Sequence, residues 1–337
     1  MDKNTVLEIK DLRVKFPMGE STIHAVNGVN LKLRKGETLG VVGESGCGKS
    51  VMMSSILRLV PTPPAITTGE ILYGERDVLK MEKKDLFKIR GDEITMIFQE
   101  PMTSLNPVIK IGSQIAETLR LHQGLSKEDA NEKVEELLKQ VEIPNPKKRM
   151  NEYPHQLSGG MRQRVMIAMA LACKPKILLA DEPTTALDVT IQAQILALLK
   201  KLRQEYEMSV MLVTHDLGVI AEVADRVVVF YGGNIVEEAE TIDLFDHPLH
   251  PYTEGLFGCI PHINAEPERL YVIGGNVPDP ANLPEGCPFA PRCQYVKEAC
   301  HKEKPALLEV APGHFAACHF AKERLVECGG AYVEGAQ

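Results

Sequence analysis

Residues 43–50 read Gly43-Glu-Ser45-Gly46-Cys47-Gly48-Lys49-Ser50, a complete G-x-x-x-x-G-K-S phosphate loop. Glycine lets the backbone curl until its N–H groups point into one cavity, and a following helix N-terminus adds partial positive charge. Lys49 has the reach for β- and γ-phosphates, and the Ser50 hydroxyl is a Mg²⁺ ligand. Three other groups with chemistry stand at apolar run ends: Gln99 after Ile94–Phe98, the Asp181-Glu182 pair after Lys176–Ala180, and His215 after Val210–Thr214. A carboxylate such as Asp181 can orient the hydration shell of Mg²⁺. Glu182 can polarise an attacking water, Gln99 can touch both metal and water, and His215 can contact a γ-phosphate; taken singly, each reads equally as a surface or structural residue. A fourth constellation lies near the C-terminus. Cys287, Cys293, Cys300 and Cys318 fall within 32 residues in the pattern C-x5-C-x6-C-x17-C.

The elements that must position these groups follow from periodicity. Val6–Phe16 alternates like a strand, Ala25–Leu33 is a second candidate, and Thr38–Val42 leads into the phosphate loop. A helix over 50–60 follows, stopped by Pro61. From 111 to about 172 the pattern is helical, with Ser126-Lys-Glu-Asp129 as a helix start and Ser158-Gly159-Gly160 opening a helix to about Cys173. Strand 176–180, helix 189–206, strand 209–213, helix 217–224 and strands 227–230 and 233–237 complete an alternation. That alternation implies a mainly parallel α/β sheet with antiparallel edge strands and an inserted helical block. The composition shifts near 245: residues 274–292 carry five prolines and three glycines, which excludes a central helix or strand. The sequence therefore predicts a domain at 1–245 and a small loop-rich module at 246–337.

Composition narrows the function classes. The 337 residues are 44% hydrophobic and 25% charged, ordinary for a soluble globular protein. No apolar run reaches membrane-spanning length and the N-terminus carries no apolar signal region, so a cytoplasmic protein is expected. A net charge of −8, without a basic stripe interleaved with aromatics, argues against nucleic acid as a partner.

Taken in order, the phosphate loop, Gln99, Leu157-Ser158-Gly159-Gly160, Asp181-Glu182, Ala186-Leu-Asp188 and His215 resemble the ATPase subunit of ATP-binding-cassette transporters over about residues 5–245. The resemblance implies the cassette fold, ATP and Mg²⁺ as cofactors, and Ser50, Gln99 and Asp181 about the metal. It implies that Ser158-Gly159-Gly160 binds the γ-phosphate of nucleotide held by a second ATPase subunit, with Asp188 aligning that facing site. Phe16 lies where the family places an aromatic that stacks on adenine; a core-facing strand Phe is the alternative. Cys47 is either a reactive thiol at a helix N-terminus or a small side chain that fills the loop. His247-Pro-Leu-His-Pro-Tyr-Thr253, residues 274–293 and Gln99–Pro107 resemble the dipeptide and oligopeptide importers. This implies two transmembrane permease subunits, an extracytoplasmic peptide-binding protein, and a peripheral place on the cytoplasmic face of the membrane. Nickel importers share the architecture, and a soluble cassette ATPase acting on ribosomes or nucleic acid is the rival class.

The cysteine gaps are too long for paired C-x(2–4)-C zinc knuckles, and wide Pro-containing loops suit thiolates around a larger object. Importers with such cysteines look like cluster binders, so a [4Fe-4S] cluster is expected, with zinc as the alternative. His301, His314 and His319 could replace a thiolate in a zinc site, and Cys328 is a fifth, less favoured ligand.

Overall fold

The computed structural model describes residues 4–100, 104–185, 187–259 and 272–327. Ala186 and Cys328 lie outside the described residues, as do positions 101–103 of the Gln99–Pro107 segment. Twelve strands among the described residues are numbered β1 to β12 along the chain. The chain divides into two compact units. The first gathers Met1–Leu33, Thr38–Leu79 and Val213–Gln337, and the second Arg34–Glu37 and Lys80–Leu212.

The first unit holds two sheets. In one, β1 (Thr5–Met18) lies between β2 (Ser21–Arg34) and antiparallel β4 (Ile66–Tyr73), with β5 (Arg76–Asp77) outermost. Leu12 and Val14 are fully buried while their neighbours Asp11 and Arg13 are exposed, the period-2 alternation of a half-buried strand. The other sheet pairs β3 (Thr38–Val42) in parallel with β9 (Arg226–Tyr231). All eleven residues of these two strands are buried, as expected of strands covered on both faces. Antiparallel β10 (Asn234–Glu240) continues the sheet, and β12 (His314–Ala316) and β11 (Leu308–Ala311) extend it.

The extension by β11 and β12 departs from a purely loop-rich C-terminal module. The strands are four and three residues long and turn at Pro312-Gly313, too short for an alternation to register in sequence. They pack Val310 and Ala316 with Leu249, Ala321 and Leu325 in a small core of their own. Glu237, fully buried on β10, fixes this region: its carboxylate accepts from the Leu249 and His250 backbone N–H groups at 2.6 and 2.9 Å and meets His314 Nε2 at 2.8 Å. A buried carboxylate is tolerable only with such a full set of partners. Within the segment 247–253 a helix opens, Pro251–Gly258. Proline occupies its first turn and the His250 ring accepts from Tyr252 N at 3.1 Å.

The second unit carries β6 (Ile94–Ile97), β7 (Ile177–Asp181) and β8 (Ser209–Val213) in adjacent order, β6 and β7 parallel. Between β6 and β7 the described residues include the α-helices Ile111–Gln123, Lys127–Gln140, Pro146–Arg149 and Gly159–Leu171. Ser126 caps the second of these, accepting from Asp129 N at 3.1 Å. Ala130, Val134, Leu137 and Leu138 form its buried stripe at helical spacing. A further helix, Lys83–Ile89, was not legible, since its Lys- and Glu-rich start offers only Leu86 and Ile89 to the interior. No described helix is long and apolar enough to cross a membrane.

Candidate functional site

In the first unit the phosphate loop is held shut by its own chemistry. Gly43, Gly46 and Gly48 take φ of 150°, 79° and 104°, conformations open to glycine and strained for any side chain. A Cβ on Gly43 would fall 2.2 Å from the Phe230 carbonyl oxygen, and one on Gly48 2.1 Å from that of Ala25. Both glycines are therefore steric necessities as well as conformational ones. Lys49 begins the helix Lys49–Ile56 and is only 5% exposed. Its ammonium donates to the Gly43 and Glu44 carbonyls at 2.7 and 2.9 Å and lies 3.6 Å from Cys47 Sγ. Sulfur is a weak acceptor, so exchanging it for a phosphate oxygen would be favourable. Ser45, Gly46 and Ser50 are exposed around this cradle.

Cys47 is buried, and burial pushes its thiol up despite the Lys49 ammonium beside it. The structure thus favours the loop-filling role over the reactive one. Phe16, near the end of β1, is half-buried, so its ring is not a sealed core residue. His215 is exposed; Thr214 N donates to the Val41 carbonyl at 3.3 Å, which brings His215 to the end of β3 where the phosphate loop begins.

In the second unit the β6/β7 register explains the carboxylate site. Ile97 pairs with Ala180, so Gln99 and Glu182, each two residues further on, arrive side by side. Gln99 Nε2 donates to Glu182 Oε2 at 3.0 Å, and the Thr185 hydroxyl donates to the same oxygen at 2.8 Å. Glu182 has φ of +48°, an uncommon conformation for a residue with a side chain. Strain at one carboxylate, held by two donors, is the mark of a residue kept in place for a purpose. Asp181, 6% exposed, ends β7. Thr185 escaped the sequence reading because a threonine three residues past a carboxylate carries no signal by itself.

Ser158 caps the helix Gly159–Leu171, accepting from Met161 N at 3.4 Å, and Ser158 and Gly159 are exposed. Gly160 has a second reason to be small: a Cβ there would fall 2.7 Å from Ile191 Cγ2. Ile191 lies in the first turn of the helix Val189–Tyr206, which Asp188 caps by accepting from Ile191 N at 3.0 Å. Ser158-Gly159-Gly160 and Asp188 thus mark two helix starts packed against each other.

The four clustered cysteines also come together. Cys287, Cys293, Cys300 and Cys318 all line one cavity of about 250 Å³, walled by Phe289, Tyr295, Phe320 and Arg324. The backbone brings two of them close: Cys287 N donates to the Cys300 carbonyl at 2.8 Å, and a Cβ on Gly286 would meet that same oxygen at 2.2 Å. All seven described cysteines are free thiols. Burial pushes the Cys287 thiol up to about 11 and raises those of Cys293 and Cys318, with neighbouring cysteines adding to each shift. Four thiolates here would repel one another, so only a bound cation would favour them. The expected metal centre is not borne out by the ligand geometry. Among the described residues no three His, Cys, Asp or Glu side chains are grouped to hold one ion. His314 is engaged by Glu237, and His319 Nε2 meets the Glu303 carbonyl at 3.0 Å.

Residues 26–185 match the ABC transporter family model, and residues 236–300 match that of the oligopeptide/dipeptide transporter C-terminal region. The oligopeptide transport ATP-binding protein AppD of Bacillus subtilis is 50% identical over 325 residues, 96% of this chain and 99% of that protein. The chain belongs to the ABC transporter ATP-binding proteins. OppD of Salmonella typhimurium, also an oligopeptide transport ATP-binding protein, is 46% identical over 96% of both chains. The dipeptide transport ATP-binding protein DppD of Bacillus subtilis is 48% identical over 95% of this chain and 96% of its own. Among solved structures, the dimeric post-hydrolysis state of the ATP-binding cassette MJ0796 with ADP and phosphate superposes with a TM-score of 0.63. Its identity is 35%, and it covers 70% of this chain and 98% of that one. The fold is that of an ABC nucleotide-binding domain, and the enzyme is an ATPase.

Proposed function

We propose that this ABC ATPase powers import of dipeptides or oligopeptides, docked on two permease subunits at the cytoplasmic face of the membrane. It would work as one of a pair of ATPase subunits, with peptide delivered by an extracytoplasmic binding protein. The observation that carries the peptide reading is the match of residues 236–300 to the oligopeptide/dipeptide C-terminal region, beyond the part common to all cassettes. In this reading the loop N–H groups and Lys49 hold the β- and γ-phosphates, and Phe16 stacks on adenine. Ser50, Gln99 and Asp181 offer the hard oxygen donors that Mg²⁺ takes, and Mg²⁺ supplies neutralisation of phosphate charge. Glu182, aimed by Gln99 and Thr185, orients water and accepts its proton, and His215 contacts the γ-phosphate. Ser158, Gly159 and Gly160 bind the γ-phosphate of the partner subunit's nucleotide, and Asp188 aligns that site. Reconstituted with permease subunits, the ATPase should turn over several-fold faster when peptide-loaded binding protein is added. Equal stimulation by nickel-loaded binding protein, or stimulation only by ribosomes or RNA, would overturn the peptide reading.

We further propose that Cys287, Cys293, Cys300 and Cys318 hold a [4Fe-4S] cluster. What supports this is that four soft thiol donors line one cavity. The cluster's contribution is structural, pinning four segments of a short region together. Protein purified without oxygen should contain about four irons and four sulfides per chain. One zinc and no iron would replace the cluster by a zinc staple.

A further inference from the structure

The phosphate loop carries a negative charge where it takes a polyanion. Glu44 is its second residue, and the G-x-x-x-x-G-K-S pattern does not require an acid there. Left alone, a carboxylate in the loop would repel phosphate. It is not left alone. Arg292, 248 residues away and immediately before Cys293, grips it with both arms: Nη1 to Oε2 at 2.6 Å and Nη2 to Oε1 at 3.0 Å. Glu44 retains 29% side-chain exposure whereas Arg292 has 3%, so the arginine is the fixed partner. Its Nε donates to the Gly274 carbonyl at 2.9 Å, and its guanidinium lies 5.8 and 5.9 Å from the Tyr231 and Phe289 ring centres. The loop backbone is tied to the same side of the chain. Glu44 N donates to the Tyr252 hydroxyl at 2.8 Å, and Tyr252 is fully buried.

We propose that Arg292 is a positioning residue of the nucleotide site: it neutralises and fixes Glu44, so that the C-terminal extension sets the affinity of the phosphate loop for ATP. A bidentate Arg–carboxylate pair is the geometry that holds a side chain as well as cancelling its charge. Lysine could cancel the charge but not make the fork. The proposal does not depend on what the four cysteines hold. It does place Arg292 one residue from Cys293, so whatever orders that cysteine also orders the clamp.

The test is Kd for a slowly hydrolysed ATP analogue with Mg²⁺, measured on the full chain. Arg292→Met should weaken binding about tenfold at low salt. The loss should shrink as salt rises, because the partly exposed Glu44 carboxylate is screened. Adding Glu44→Gln to Arg292→Met should return Kd to within about threefold of wild type, and Arg292→Lys, which keeps the charge but not the fork, should fall between wild type and Arg292→Met. A purely packing role predicts the opposite pattern. If the double variant is as weak as Arg292→Met, if Arg292→Lys loses as much as Arg292→Met, or if Arg292→Met binds normally, the proposal is overturned. The Lys variant and the salt series keep the test decisive should Arg292→Met fold poorly.

Discussion

The molecule holds two cradles built on different terms. The phosphate loop is closed by its own backbone within eight residues: three glycines, two carbonyls and one ammonium complete it. The cysteine cavity is assembled from segments spread over 32 residues, and its Cys287, Cys293 and Cys318 thiols are pushed toward the neutral form by burial and by neighbouring cysteines. One cradle carries its positive charge with it as Lys49. The other has four soft donors and needs a cation to favour their charged form. A site whose charge is supplied by the chain can be shaped in advance, whereas a site of like-charged donors is completed by what it binds.

That contrast can be broken or sharpened, beginning where the effect is largest. Glu182→Gln keeps the shape of the side chain and the Thr185 and Gln99 contacts but removes the base. ATP turnover should fall by a factor of about 10² or more while ATP binding persists. Lys49→Ala strips the phosphate-loop cradle of its cation. Nucleotide Kd should rise by about 100-fold with little change in thermal midpoint, since the lost partners are carbonyls that water can reach once the chain is shortened. Near-normal affinity would show that the loop N–H groups alone suffice. Cys293→Ser should act in the reverse sense. Iron content and the protease resistance of the region beyond 272 should drop, and nucleotide affinity should fall no further than in Arg292→Met, because that region's tie to the loop is the Arg292 clamp next to Cys293. If both iron and protease resistance stay as in wild type, the second cradle does not hold a cluster. Gly160→Val should have the smallest effect. Its side chain would collide with Ile191, and a loss of about 1–3 kcal/mol should appear as a lowered thermal midpoint.

The same contrast explains what could be read from the sequence. The phosphate loop, the Asp181-Glu182 pair, Ser158-Gly159-Gly160 and Asp188 stood out because each sits at a strand or helix end and belongs to an ordered set of motifs. Strands Thr38–Val42 and Ser209–Val213 and the helix Val189–Tyr206 were legible residue for residue, being fully buried runs or capped amphipathic ones. The pairing of Gln99 with Glu182 needed the β6/β7 register, which no spacing between residues 83 apart can supply. The Arg292–Glu44 clamp was hidden for the same reason, its partners standing 248 residues apart. The β11–β12 hairpin was missed because its strands derive their order from β10 rather than from their own pattern. Gly160 was read as a backbone donor for an anion, while its contact with Ile191 shows that close helix packing requires glycine there as well.

The most direct test of the central claim is ATP hydrolysis and ATP retention measured together on purified wild-type chain and on Glu182→Gln. The account predicts steady turnover for the wild type and, for the variant, retained ATP with turnover lowered by a factor of about 10² or more. Native-rate hydrolysis by Glu182→Gln would contradict it, because the carboxylate held by Gln99 and Thr185 would then not be the group that activates water.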